Sequence, residues 1–193
     1  MPAASSSAPI AIRRARLVGS VERLLCGGCC RCGCASDWRA IERVHSDAFE
    51  KCHRPLLGPD ATPWFDPGGV CWVADHPEHG VVGFVFLEFE PDADDPTPTN
   101  GAPLLDDLFV DPNFQRLGLG RRLIEVAETH ARGCGSEQLV LGCLELDLAA
   151  RAFYVRTGWA ADEQTWSAPD GHIYLTFRKP LAGSGTMDAS AQP

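Results

Sequence analysis

Residues 111–122 read DPNFQRLGLGRR and open a helix with glycines at 118 and 120 and arginines at 116, 121 and 122. The first turn of a helix carries unpaired backbone N–H groups and a partial positive charge, so acidic side chains belong there and arginines do not. Arg116, Arg121 and Arg122 make that end more positive still. The composition makes chemical sense if an anion that is not part of the chain rests on it. Gly118 and Gly120 have no side chain to hold such an anion off the backbone, which is the general geometry of a phosphate cradle. Two nucleotide patterns fail here. A P-loop needs Lys-Ser or Lys-Thr after its second glycine, and a dinucleotide fingerprint needs a third glycine where this chain has Leu123.

A second concentration of reactive side chains is LLCGGCCRCGC, which holds five of the nine cysteines: Cys26, Cys29, Cys30, Cys32 and Cys34. Overlapping C-x-x-C pairs can hold zinc or an iron–sulfur cluster. A structural zinc site usually draws its second ligand pair from a distant knuckle, however, and Cys52–His53 is the only nearby candidate. The segment over about residues 19–35 reads as a flexible Gly/Cys-rich insertion with free thiols and no metal. With no secretion signal in the sequence, a disulfide framework is not expected.

The elements that must position these groups follow from periodicity. IAIRRARLV (10–18) has strand character, and SDWRAIERVHSDAFEKC (36–52) is an amphipathic helix with Ser36 or Asp37 as its cap. Residues 53–69 read as a loop with a short helix. VCWVAD (70–75) and VVGFVFLEFE (81–90) form a hairpin around HPEHG. PDADDPTPTNGAP (91–103) is an acidic, proline-rich loop. LLDDLFV (104–110) is a strand leading into the glycine turn. The helix that follows ends near Gly133, EQLVLGCLEL (137–146) is a buried strand, and DLAARAFYVRTG (147–158) is a short helix capped by Asp147 and stopped by Gly158. A closing hairpin turns at APDG. Interleaved strands and helices without a repeat give an α/β (α+β) fold with a mixed sheet. One domain over residues 10–180 is expected, with disordered ends at 1–9 and 181–193.

At 193 residues, 45% hydrophobic and 22% charged, the chain suits a globular domain with a substantial core. A net charge of −9 argues against a general nucleic-acid binder and makes any anion site local. No apolar run reaches the ~18–20 residues of a membrane span. The first twenty-five residues, with Glu22 as their single acid, have some transit-peptide character, but IAIRRARLV reads equally as a first strand, and a cytoplasmic setting is expected.

QRLGLG fits [Q/R]-x-x-G-x-[G/A] and, with the preceding LFVDPNF, resembles the acyl-CoA-binding motif of the GNAT superfamily of N-acetyltransferases. DLAARAFYVRTGW resembles that family's later N-x-x-A-x-x-F-Y-x-x-x-G-F/W block, with Asp147 where Asn is usual. IRRAR followed by SDWRAIERVHSDAF is similar to its first strand and helix, so the resemblance covers roughly residues 10–180, apart from the Gly/Cys-rich insertion. It implies a mixed, largely antiparallel central sheet flanked by helices. It also implies acetyl-CoA as donor and a primary amine of a small molecule, peptide or protein as acceptor. A noncatalytic acyl-CoA-binding module on the same fold is the alternative. The partners implied are acetyl-CoA and an amine, with no nucleic acid and no membrane; the chain is a monomer or homodimer.

The resemblance further implies that the backbone at Gln115, Arg116, Leu117, Gly118, Leu119 and Gly120, with Arg121 beside it, receives the CoA pyrophosphate. Leu108, Phe109 and Val110 would pair with the pantetheine arm as an added strand, the Val110 amide facing the thioester. Tyr154 becomes the acid for the departing thiolate, since a phenol of pKa about 10 can protonate a thiolate within hydrogen-bond reach. A carboxylate, direct or through water, should take the amine's proton. Asp106 and Asp107 lie beside the donor strand, with pleat alternation allowing one of them to face the acceptor; Glu88 and Glu90 are alternatives. His45, His53 and His172 are given no role.

Overall fold

In the computed structural model, residues 9–17, 37–61, 69–91, 95–168 and 171–181 are described. The Cys26–Cys34 segment and most of the two expected disordered ends lie outside them. Strands β1 (Ala11–Arg14), β2 (Val70–His76), β3 (Gly80–Glu88), β4 (Leu104–Val110), β5 (Gln138–Leu144), β6 (Ala160–Ser167) and β7 (Ile173–Pro180) hydrogen-bond in the order β1-β2-β3-β4-β5-β7-β6. β4 and β5 run parallel, with Leu104 opposite Val140. The pairs β1–β2, β2–β3, β5–β7 and β6–β7 are antiparallel. This is the mixed, largely antiparallel sheet expected. Helices α1 (Trp38–Ala48), α2 (Arg54–Leu57), α3 (Leu119–Gly133) and α4 (Leu148–Arg156) complete the described elements. By packing, the chain divides into two compact units: residues 1–88 with 105–127, and residues 89–104 with 128–193.

In the first unit, α1 buries Ile41, Val44, His45 and Ala48, the face set by its helical spacing. Ile41 and Val44 pack on Cys71, Val73, Val81, Phe84 and Phe86 of the β2–β3 hairpin. Where a plain helix was expected to residue 52, the backbone widens into a π turn over Phe49–His53 before the short α2. A Cβ at Gly83 would lie 3.1 Å from the Phe109 carbonyl oxygen and 3.3 Å from Val110 Cγ2. The missing side chain is what lets β4 lie close to β3.

Asp37 is the N-cap of α1 in position only. No side-chain cap bond forms. Its carboxylate instead accepts from Arg13 Nη1 and Nη2, each at 2.8 Å, and from the Arg16 N–H at 2.7 Å. Arg13 Nε donates to Asp75 at 2.6 Å, so one guanidinium ties β1, β2 and the start of α1 together. Periodicity reads helices and strands but not this latch between residues 24 positions apart.

In the second unit, β7 lies between β5 and β6, and Leu139, Leu141 and Phe177 are fully enclosed. Arg178 Nη2 donates to the Pro98 carbonyl at 2.6 Å, and its guanidinium also holds Asp162 and Gln164. The described part of the acidic loop is therefore fastened at its proline-rich end. Asp147 accepts from the Ala150 N–H at 2.8 Å and caps α4, and Gly158 at φ +89° ends it, both as the sequence reads. Leu181 is buried, and its N–H donates to the Glu137 carbonyl.

Burial alone would raise the Asp37 carboxyl, but the hydrogen bonds from Arg13 and the Arg16 N–H outweigh it and hold the group below its usual 3.8. Asp37→Ala is expected to cost about 2 kcal/mol in urea unfolding at pH 7, as for hydrogen bonds to a charged group. A lowered carboxyl stabilises above its unfolded value and loses that contribution as pH falls through the folded one. The gap between wild type and Asp37→Ala should therefore narrow below pH 3.8.

Candidate functional site

The segment from Leu105 to the start of α3 carries most of the predicted site residues and lies in the first unit. Asp111 ends β4. It is 5% exposed, its N–H donates to the Val82 carbonyl at 2.9 Å, and its Oδ1 accepts from the Asn113 N–H at 2.9 Å. Arg43 of α1 reaches Asp111 Oδ2 at 3.3 Å and donates to the Val81 carbonyl at 2.7 Å. Sequence reasoning missed this pair. The D-P-N string signals an Asx turn, but nothing local points to Arg43.

Beyond the 3-10 turn Pro112–Phe114, Arg116 sits at φ +64° and Gly118 at φ +76°. Gln115 through Gly118 are all exposed, and Leu117 is 61% exposed. Gly118 provides the acceptor for the Arg122 N–H at 3.1 Å. The N–H groups of Leu119, Gly120 and Arg121 find no acceptor among the described residues. A Cβ on Gly118 would meet nothing within 4 Å among the described residues, so the space at Gly118 itself is open. Buried Leu119 fixes the helix end behind these N–H groups. Open space, a run of exposed backbone and orphan donors at a helix start are what an anion needs.

The three arginines do not act alike. Arg122 Nη2 donates to the Ile10 carbonyl at 2.7 Å and secures the chain entering β1. Arg121 leans along α3 to Glu125 at 2.9 Å, both exposed. Arg116 is the exposed cation within the turn itself. Gln115 uses its side chain on the protein: Nε2 donates to the Val110 carbonyl at 3.2 Å and lies 3.7 Å from Cys52 Sγ.

On β4, Phe109 turns its ring into the core, 4.8 Å from His45, 5.4 Å from His53 and 5.7 Å from Phe84 between centroids. Burial, and then the charge of His53, lower His45 to about 4, so its imidazole is neutral at pH 7. Leu108 and Val110 flank Phe109 and are partly buried.

Asp107 departs from the expectation most clearly. It stands at φ +47°, in the left-handed region that Asp tolerates better than most residues. Strict pleat alternation between Asp106 and Asp107 does not hold through a left-handed residue, and both are partly buried. Burial raises the Asp107 carboxyl well above its usual 3.8, and the charges of Asp106 and Glu88 add to it. Three carboxyls thus converge at this point, and their mutual repulsion keeps one of them ready to hold a proton.

Tyr154 belongs to the second unit. It is half-buried on α4, with ring centroids 5.4 Å from Phe153, 5.9 Å from Phe177 and 6.2 Å from Trp159. Its carbonyl accepts from the N–H groups of Thr157 and Trp159, each at 3.0 Å, and so closes the helix end.

The sequence profile of the Acetyltransferase (GNAT) family matches residues 38–159, across both compact units, and the chain belongs to that family. Over 102 residues it is 34% identical to a mycothiol acetyltransferase of Geodermatophilus obscurus, covering 52% of this chain and 31% of that protein. Over 138 residues it is 29% identical to a mycothiol acetyltransferase of Cellulomonas flavigena, covering 64% of this chain and 38% of that one. The chain thus matches about a third of the length of these relatives. The crystal structure of a GNAT-family acetyltransferase from Staphylococcus aureus Mu50 superposes with a TM-score of 0.58 at 14% identity, covering 89% of this chain and 99% of that one. At that identity the likeness speaks for the fold.

An acid whose folded pKa is raised destabilises the fold above its unfolded value, because the unfolded chain ionises more freely. Asp107→Asn keeps the left-handed preference and cannot ionise. It is expected to raise the urea midpoint at pH 7, and the gain should vanish below pH 3.8, where both chains are neutral at this position. Parallel unfolding curves at the two pH values check it.

Proposed function

We propose that this chain transfers an acetyl group from acetyl-CoA to an amine. The observation that carries the reading is the start of α3, where the N–H groups of Leu119, Gly120 and Arg121 find no acceptor among the described residues, Arg116 is left-handed and a Cβ on Gly118 would meet nothing within 4 Å. A pyrophosphate suits it: the charge is taken up by backbone donors and the helix dipole, and Arg116 adds a cation.

In this reading Leu108, Phe109 and Val110 present their backbone to the pantetheine arm. The inward Phe109 ring supports that role, since a strand that is read through its backbone is free to use its side chains for the core. Asp107 takes the amine's proton, with Asp106 and Glu88 holding its affinity up. An amine of pKa about 10 is almost entirely protonated at pH 7, so a raised carboxyl is better matched to the task than an ordinary one. Tyr154 supplies the proton to the departing thiolate. The acceptor is a primary amine of a small molecule or peptide, and the carboxyl group at β4 favours a cationic one. Because the matched relatives are named mycothiol acetyltransferases, a mycothiol-type acceptor belongs in the assay panel. Cys52, Cys71, Cys134 and Cys143 are free thiols, in keeping with a reducing, cytoplasmic setting.

Gly118→Glu and Gly120→Glu place bulk and negative charge at the cradle. Each is expected to weaken acetyl-CoA binding at least tenfold, about 1.4 kcal/mol, in calorimetry. Unchanged affinity in the folded variants would remove the anion site. Tyr154→Phe removes only the hydroxyl. It is expected to lower kcat about a hundredfold with little change in the acetyl-CoA KM, less so for a donor with a better leaving thiol. Release of free CoA across an amine panel measures turnover, and binding without any turnover would indicate a noncatalytic acyl-CoA module instead.

A further inference from the structure

Helix α4 breaks the rule that a helix in a folded domain hides its apolar stripe. None of its nine residues is buried. Leu148 is 69% and Val155 is 60% exposed, and Ala149 and Ala152 between them are exposed as well. Positions 148, 152 and 155 follow the i, i+4, i+7 spacing of one helix face. Exposed apolar residues continue past the helix start: Leu146 is 50% exposed, and Ile173, whose carbonyl accepts from the Glu145 N–H at 2.9 Å, is 43% exposed. Scattered exposed apolar residues need no explanation, but a contiguous row rimmed by charge marks an interaction surface.

The stripe faces away from the chemistry assigned to this helix. Tyr154 turns toward Phe177 and Trp159, and Asp147 is occupied in capping Ala150. The charges at its ends are of opposite sign. Exposed Glu145 precedes the helix and exposed Arg156 ends it, and among the described residues neither has an ion-pair partner. The pattern is therefore self-complementary: acid, apolar row with small residues at its middle, base. Turned end for end, it fits a copy of itself.

The geometry points to a second copy of this chain as the occupant of that face, packed α4 against α4 in antiparallel fashion about a two-fold axis near Ala152. Leu148 of each copy meets Val155 of the other. The alanines let the backbones approach closely at the axis, and Arg156 of each copy reaches Glu145 of the other. Such an isologous contact closes at two subunits and does not propagate into filaments. So few apolar side chains per copy cover less than the ~800 Å² per partner of a standard interface, so the dimer is weak and reversible. The pairing does not depend on the acetyl-transfer reading.

Sedimentation equilibrium of the full chain tests it. Wild type is expected to associate reversibly to a dimer. Leu148→Glu and Val155→Glu should each weaken the association at least tenfold, with thermal midpoint and acetyl-CoA affinity unchanged because both side chains already face solvent. Arg156→Glu should weaken it too, and combining it with Glu145→Arg should restore it. That restoration is specific to the antiparallel register. If Leu148→Glu folds poorly, Val155→Glu and the charge swap still decide the matter. A wild-type chain that stays monomeric up to about 0.5 mM would overturn the proposal. So would a dimer indifferent to Val155→Glu, or a charge swap that restores nothing.

Discussion

An α-helix cannot provide acceptors for its own first N–H groups, and among the described residues those at the start of α3 find none. Leu119 is buried so that the helix end is fixed, yet Gln115 to Gly118 are exposed and two of them are left-handed. Asp111 and Arg43 hold the base of the turn, and Gly83 lets β4 come close enough to β3 to aim it. A turn that could have capped the helix with a Ser or Asp side chain instead presents open space. That is unfavourable for the isolated chain and sensible when an anion completes it.

Two aspartates show how placement, not residue type, sets the charge. Asp37 is nearly enclosed but meets a guanidinium and a backbone N–H, so it stays ionised and ties α1 to β1. Asp107 is partly buried beside two other carboxyls, and its proton affinity rises. The first arrangement stabilises the unit. The second costs stability at neutral pH.

In the proposed reading the donor is received by N–H groups, Gly118 and the backbone of β4, so few of the side chains there need to be of one kind. A crystal structure sharing 14% of its residues with this chain has the same fold over nearly its whole length.

The sequence by itself determined the elements and the class. Period-2 and period-3.6 patterns, the Asp147 cap, the Gly158 stop and the spacing of QRLGLG from DLAARAFYVRTG are local or nearly so, and backbone preference and side-chain patterning act over those distances. Tertiary structure alone decided which like-looking residues do different things. Arg116, Arg121 and Arg122 are chemically identical in the string, but only folding sends Arg122 to the Ile10 carbonyl, 112 positions away. Nor could the string show that Asp107 is left-handed beside Glu88, that Asp37 holds Arg13 in place of capping its helix, or that the apolar row of α4 faces outward. Burial, charge neighbours and exposure depend on contacts between distant segments, and those exist only once the chain has folded.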